Sequence, residues 1–184
     1  VGTDHFHVGD EAMLDANIAA LRRYVPDVEL HVFGRSAAAA AEQHRIAAAL
    51  EHAGGLFISG GGNMCSTWPD LIRQRVFELA VAQRLGLPIV TGGQTIGPEL
   101  TWDERSALVR VLGGVTHLGV REAPSAALAL ALGVPSDRVV YQVDDAFLLA
   151  GSAPRNGVIP ARLDEPFLAV TLDASFAAET AAGE

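Results

Sequence analysis

Four short segments of this chain set glycines beside polar side chains in patterns that could hold an anion or a sugar hydroxyl. In His7-Val8-Gly9-Asp10-Glu11, Gly9 permits a close approach, and the N–H groups of a helix start can donate to a ligand. Capping accounts for Asp10 and Glu11 equally well, because acidic side chains there satisfy free amides and complement the helix dipole. In Ser59-Gly60-Gly61-Gly62-Asn63, three glycines follow a short apolar run and leave backbone amides open. A plain turn explains the same residues, and the spacing is not the G-x-G-x-x-G of a dinucleotide site. The third segment, Gly92-Gly93-Gln94-Thr95-Ile96-Gly97-Pro98, places Gln94 and Thr95 between glycines, where they could read hydroxyls. The fourth is Arg121-Glu122 with Ser125 in the first turn of the next helix. An arginine fork beside a helix N-terminus suits a carboxylate or phosphate. An ion pair between Arg121 and Glu122, or a neighbouring carboxylate, is the competing reading.

Other chemistries find little support. No pair of histidines has metal-ligand spacing, so a metal site is not expected. His5 and His7 lie near the first glycine turn and could reach a ligand. His31, His44 and His52 fall on predicted strand or helix faces and read as structural or solvated. Ser125 lacks the nucleophile-elbow context of a serine hydrolase.

The elements that must position these segments alternate along the chain. Helical periodicity covers Asp10–Tyr24, and Pro26 stops it. Val28–Phe33 alternates as a strand. Ser36 starts an alanine-rich helix that runs to about His52, and Leu56–Ile58 is a short buried strand. A helix capped by Ser66 or Thr67, with Pro69 near its first turn, ends at Gly86. Strand Pro88–Thr91 then runs into glycines. Thr101 and Glu104 form a capping box. Strand Val115–Val120, a helix from about Pro124 to Leu132 and strand Val139–Val143 complete the series. Strict alternation predicts an α/β, doubly wound parallel sheet covered by helices on both faces. In such a sheet ligands sit beyond the carboxyl ends of the strands, which is where all four segments fall.

Composition narrows the function further. The formal net charge is −9, and all 13 basic residues are arginine. A chain without lysine has no Walker-type phosphate lysine, Schiff-base lysine or lysine general base. Its acidity argues against nucleic acid or an anionic membrane surface as partner. Cys65 stands alone, so no intrachain disulfide can form, and no apolar run reaches the roughly 18 residues of a spanning helix. The opening residues lack the basic and apolar regions of a secretory signal, so the cytoplasm is the expected compartment. The start at Val1 and the Ala/Glu-rich end suggest a trimmed or partly covered chain, with no buried strand ahead of Gly9. The expected organisation is a domain over 1–150, a linker over 151–165, and the start of a second domain over 166–184 with a strand at Phe167–Leu172.

Taken together the segments resemble the polysaccharide pyruvyl transferase family. The matching pieces, in order, are Gly9-Asp10-Glu11-Ala12-Met13-Leu14, Ser59-Gly60-Gly61-Gly62-Asn63 and Gly93-Gln94-Thr95-Ile96-Gly97-Pro98. Arg121-Glu122 with Ser125 and Leu132-Gly133-Val134 follows, and Asp144-Asp145-Ala146-Phe147-Leu148-Leu149 closes the series. The match spans residues 7 to about 150. Two departures stand out. His7 replaces the Asn that usually lies two residues before the first glycine, and Asp145 occupies the proline position of the usual Asp-Pro-Ala-Phe.

The resemblance implies a Rossmann-like N-terminal half of a glycosyltransferase-B-type two-domain fold, with the site in the cleft between halves. It also implies transfer of the enolpyruvyl group of phosphoenolpyruvate to a sugar of a cell-surface polysaccharide or exopolysaccharide, giving a pyruvate ketal. The partners are then phosphoenolpyruvate and a saccharide acceptor, with no further cofactor and with homo-oligomerisation left open. On that view Gly9, Asp10, Glu11, Gly60, Gly61, Gly62, Asn63, Gln94, Thr95, Gly97, Arg121 and Ser125 line the substrate side, and the general acid belongs to the second domain. A nucleotide-sugar glycosyltransferase or epimerase of the same architecture is the first alternative. A non-catalytic glycan- or partner-binding domain is the second.

Overall fold

The computed structural model describes residues 8–33 and 40–149. The elements are α1 (Val8–Tyr24), α2 (Ala40–Leu50), β1 (Leu56–Ile58), β2 (Gly61–Met64), α3 (Pro69–Arg84), β3 (Ile89–Ile96), α4 (Trp102–Leu112), β4 (His117–Val120), α5 (Ala123–Ala131) and β5 (Val139–Tyr141). A 3₁₀ turn at Ser136–Arg138 precedes β5, and another at Asp145–Leu149 follows it. The expected linker and second-domain strand at Phe167–Leu172 lie outside the described residues, as do His5 and His7.

Every strand pairing is parallel. The sheet order is β1-β3-β4-β5, and β2 continues β1 along the same side of β3. Leu56 pairs with Ile89, while Gly61 pairs with Gln94 further along β3. β1 and β2 are therefore one strand interrupted at Ser59 and Gly60. Three crossovers advance the chain in one direction, and a common right hand puts α3, α4 and α5 on one face. One apolar cluster confirms their shared layer: Ile72 and Leu79 of α3, Leu108 and Leu112 of α4, and Ala129 of α5 meet Ile58, Ile89, Leu118 and Val120 of the sheet. Each such large side chain contributes about 1.5–3 kcal/mol by leaving water. A smaller cluster of Ile46, Leu50 and Val81 joins α2 to α3.

The other face is closed differently. Residues adjacent in a strand point to opposite faces, and where Thr91 faces one way, Gly92 faces Asp145. The turn carrying Asp145 packs against α1. Helix α1 and that turn thus cover the glycine-rich part of the sheet, fitting a Rossmann-like α/β domain.

Three expectations need correction. Val28–Phe33 forms no strand, because alternation supplies a face but not a ladder partner. Its anchor is a side chain, Phe33, which packs against the Ile46–Leu50–Val81 cluster. Neither Ser66 nor Thr67 caps α3, whose N-cap is Trp68 without a side-chain bond. The Ser66 hydroxyl is engaged elsewhere, by Glu104 and the Thr101 amide. Finally, the two glycine segments are not turns. β3 runs through Gly92, Gly93, Gln94 and Thr95, and β2 contains Gly61, Gly62 and Asn63. The capping box of Thr101 and Glu104 forms as expected, and glycines with positive φ, Gly86 and Gly133, follow α3 and α5.

Gly119 of β4 shows how closely backbones meet in this sheet. A Cβ there would lie 2.6 Å from the Thr91 carbonyl oxygen and 2.7 Å from that of Gly92. Neither atom can swing away as a flexible side chain would. Gly119→Ala should therefore cost about 1–3 kcal/mol, the range for overpacking. Gly113→Ala, with φ −62° at the end of α4 and open space around it, should stay within about 0.5 kcal/mol of the parent. Urea unfolding midpoints of the two variants check this contrast.

Candidate functional site

The carboxyl ends of β2, β3 and β4 bring together segments far apart in sequence. Gly61 is paired with Gln94, Gln94 with Val120, and the Arg121 amide donates to the Gln94 carbonyl at 3.3 Å. Three of the four sequence segments thus form one edge. The first is carried on α1, which packs against the turn that holds Asp145. Gly9, Asp10 and Glu11 lie inside the first turn of α1, not in a turn ahead of it, and Gly9 is exposed.

Arg121 sits at the centre of a polar network. Its Nε donates to Thr95 Oγ1 at 2.8 Å, and Nη1 pairs with Asp144. Glu122 lies 3.5 Å from the same Nε and accepts from Thr95 Oγ1 at 3.1 Å. Ser125, buried at the start of α5, donates to Glu122, and its Oγ accepts from the Ile96 amide at 2.8 Å. The ion-pair reading of Arg121 is thus realised, chiefly with Asp144. The remaining nitrogen, Nη2, lies 3.4 Å from where a Cβ on Gly62 would stand. The bare Gly62 backbone therefore lies beside Nη2.

Gln94 is fully buried. Its Nε2 donates to the Ser59 carbonyl at 2.7 Å, locking β3 to the break between β1 and β2. Its Oε1 is buried without a hydrogen-bond partner, an arrangement that normally costs free energy. Asn63 is buried beside Gly61, and Gly97 leads out of β3 with φ +73°.

The residue that organises this edge was not among the sequence candidates. Asp145, 2% exposed, accepts from Gly60 N and Asn17 Nδ2 through Oδ2, at 2.9 and 2.7 Å. Its Oδ1 accepts from Gly93 N and Gln142 Nε2, each at 2.9 Å. Asn17 also donates to Ser59 Oγ at 3.0 Å. The signals were faint but present. Asp145 is an acidic residue entering an apolar run at the usual proline position, and Asn17 follows Ala16 on the buried stripe of α1.

A second joint lies on the same edge, between the starts of α3 and α4. Ser66 N donates to the Glu99 carbonyl at 2.9 Å, and Thr101 N donates to Ser66 Oγ at 3.0 Å. Glu104 accepts from Ser66 and from Thr101 N. The Ser66 hydroxyl, then the Thr101 amide, hold the Glu104 carboxyl below its ordinary value. Among the described residues, no group of three or more His, Cys, Asp or Glu is placed to hold a metal ion. None of the described helices is long and apolar enough to cross a membrane.

A family model for polysaccharide pyruvyl transferases matches residues 7–175. The chain belongs to the polysaccharide pyruvyl transferase family. No curated protein and no solved structure matches it. In an open parallel sheet ligands sit beyond the carboxyl ends of the strands, and in this domain those ends form the β2–β3–β4 edge.

Two outcomes follow from the geometry. Asp145→Ala strands Gly60 N and Gly93 N in the interior and should cost about 2–6 kcal/mol, since each buried unsatisfied donor costs about 1–3. Asp145→Asn keeps the shape and one acceptor and should fall between; urea midpoints in the order parent, Asn, Ala are expected. A folded Glu104 pKa below the ordinary 4.5 means its stabilisation is complete above that pH. It is lost as pH falls through the lowered value. Glu104→Gln should therefore flatten the acid side of the Tm–pH curve and leave its slope near neutral pH unchanged.

Proposed function

We propose that this domain takes part in transferring the enolpyruvyl group of phosphoenolpyruvate to a saccharide, forming a cyclic pyruvate ketal. Family membership supports pyruvyl transfer in polysaccharide biosynthesis. The observation that carries the donor assignment is Arg121 Nη2, the fork nitrogen beside the bare Gly62 backbone. Phosphoenolpyruvate presents a carboxylate and a phosphate, and charge-assisted contacts from a guanidinium suit both. In a chain with no lysine, arginine and helix N-termini are the available anion ligands.

The reaction sets its own requirements. A general acid delivers a proton to the methylene carbon while an acceptor hydroxyl adds to the neighbouring carbon. The C–O bond to phosphate then breaks, and a second acceptor hydroxyl closes the ketal. The residues of this edge bind and orient; the acid is assigned to the second half of a two-domain, glycosyltransferase-B-type protein acting in the cytoplasm. Thr95 and Asp144 fix the guanidinium, so it meets the donor already oriented. Asp144 and Glu122 also temper its charge, which favours release of phosphate after the transfer.

Phosphate release from phosphoenolpyruvate in the presence of a saccharide tests the reading, together with thermal shift. Phosphoenolpyruvate should raise Tm, whereas UDP-galactose alone should not; the reverse pattern would favour the nucleotide-sugar alternative. Arg121→Ala should lower kcat/KM for phosphoenolpyruvate by roughly one to two decades, as for a contact of about 1.5–3 kcal/mol. It should also lower Tm, because the Thr95 and Asp144 contacts go with it. Gly62→Ala separates the two effects. Its methyl group would stand over Nη2, raising KM for phosphoenolpyruvate at an unchanged Tm. Unaltered kinetics in Gly62→Ala would make Arg121 a purely structural tie.

A further inference from the structure

Two hydroxyls at this edge each have one proton to give, and their neighbours decide where it goes. Thr95 Oγ1 lies 2.8 Å from Arg121 Nε, and Ser125 Oγ lies 2.8 Å from the Ile96 amide nitrogen. Both nitrogens can only donate, so each hydroxyl oxygen is the acceptor there. The Thr95 proton must point elsewhere, and Glu122 Oε2 stands 3.1 Å away to receive it. Glu122 Oε1 takes the Ser125 proton in the same way. The two hydroxyls differ in one respect. Ser125 has a second acceptor in reach, the Ile96 carbonyl at 3.3 Å. Among the described residues Thr95 has none but Glu122.

Helix capping does not account for this carboxylate. Glu122 is the N-cap of α5 but makes no side-chain capping bond, and Pro124, two residues on, has no N–H to give. The side chain reaches across to β3 instead. We infer that Glu122 is a positioning residue for Arg121. By drawing the Thr95 proton to itself, it keeps a Thr95 lone pair aimed at Arg121 Nε and so sets the direction of the guanidinium. This rests on the pyruvyl-transfer reading only for the ligand that Arg121 meets. The direct ion pair with Nε, at 3.5 Å and partly exposed, is the weaker of the two influences.

An acceptor and a charge are separable by substitution. Glu122→Gln removes the charge but keeps one oxygen. That oxygen can serve Thr95, because Ser125 can turn its proton to the Ile96 carbonyl. Glu122→Ala keeps neither. In the full-length protein, Glu122→Ala should raise the phosphoenolpyruvate KM about three- to tenfold, as for one lost hydrogen bond, and leave the saccharide KM unchanged. Glu122→Gln should stay within about twofold of the parent. Thr95→Val should be impaired at least as much as Glu122→Ala, and Glu122→Ala should add nothing further in the Thr95→Val background. A ligand-free readout is the Arg121 Nε–H resonance, assigned by its loss in Arg121→Lys. Its exchange with water should quicken in Glu122→Ala and Thr95→Val but not in Glu122→Gln.

Equal impairment in Glu122→Gln and Glu122→Ala overturns the inference, because charge alone would then be at work. So does a lowered phosphoenolpyruvate KM in Glu122→Ala, as expected from simple removal of a carboxylate beside the cation. A fall in Tm with neither KM nor Nε–H exchange altered makes Glu122 a structural tie and overturns it as well. If the exchange pattern is as expected while the parent releases no phosphate from phosphoenolpyruvate, the positioning role stands and the pyruvyl-transfer reading fails.

Discussion

One buried carboxylate holds this edge of the molecule together. Asp145 takes its hydrogen bonds from α1 through Asn17, from the break between β1 and β2 through Gly60, from β3 through Gly93, and from the segment after β5 through Gln142. These are groups that would otherwise be orphaned, because strand amides at an interruption have no ladder partner. Small residues at Gly60, Gly92 and Gly93 are what allow a carboxylate to enter the seam. A Cβ on Gly60 would stand 2.7 Å from Asp145 Oδ2, and one on Gly92 would overlap it.

The neighbouring residue turns the same segment toward chemistry. Asp145 points into the seam, while Asp144 pairs with Arg121. The chain leaving β5 therefore closes the sheet and orients the guanidinium in two consecutive residues. Thr95 completes that restraint from β3, and Ser125 reaches back from α5 to the Ile96 amide. Arg121, Thr95 and Ser125 are each braced by an element other than their own. Such cross-bracing is the preorganisation that a binding edge needs, since side chains already fixed lose less entropy on meeting a ligand.

The two joints of this edge are braced differently. Around Arg121 a single cation is shared among carboxylates, leaving one guanidinium nitrogen toward the bare Gly62 backbone. At the starts of α3 and α4 the bracing comes instead from the Ser66 hydroxyl and the capping box of Thr101 and Glu104, with Arg73 paired to Asp70 nearby.

Sequence alone determined the helices, the strands β1, β3, β4 and β5, and their order. Hydrophobic periodicity, the capping box at Thr101 and the glycines ending α3 and α5 are local signals, and they fixed the helices within a few residues. Alternation of those helices with short apolar runs gave the parallel sheet, because parallel neighbours need crossovers. The pieces Ser59–Asn63, Gly93–Pro98 and Arg121–Ser125 also identified the family. What the sequence could not decide was every feature that depends on a distant partner. Val28–Phe33 alternates like a strand, yet pairing needs a second backbone. Glycine tolerates turns and strands alike, so only the neighbouring strands and Asp145 showed that Gly61–Gly62 and Gly92–Gly93 extend the sheet. Arg121 could have been a free clamp or an ion pair until Asp144 and Thr95, 23 and 26 residues away, were placed beside it. Tertiary structure decides such matters because the hydrogen-bond partner of a buried polar group is set by packing across the chain, not by its neighbours along it.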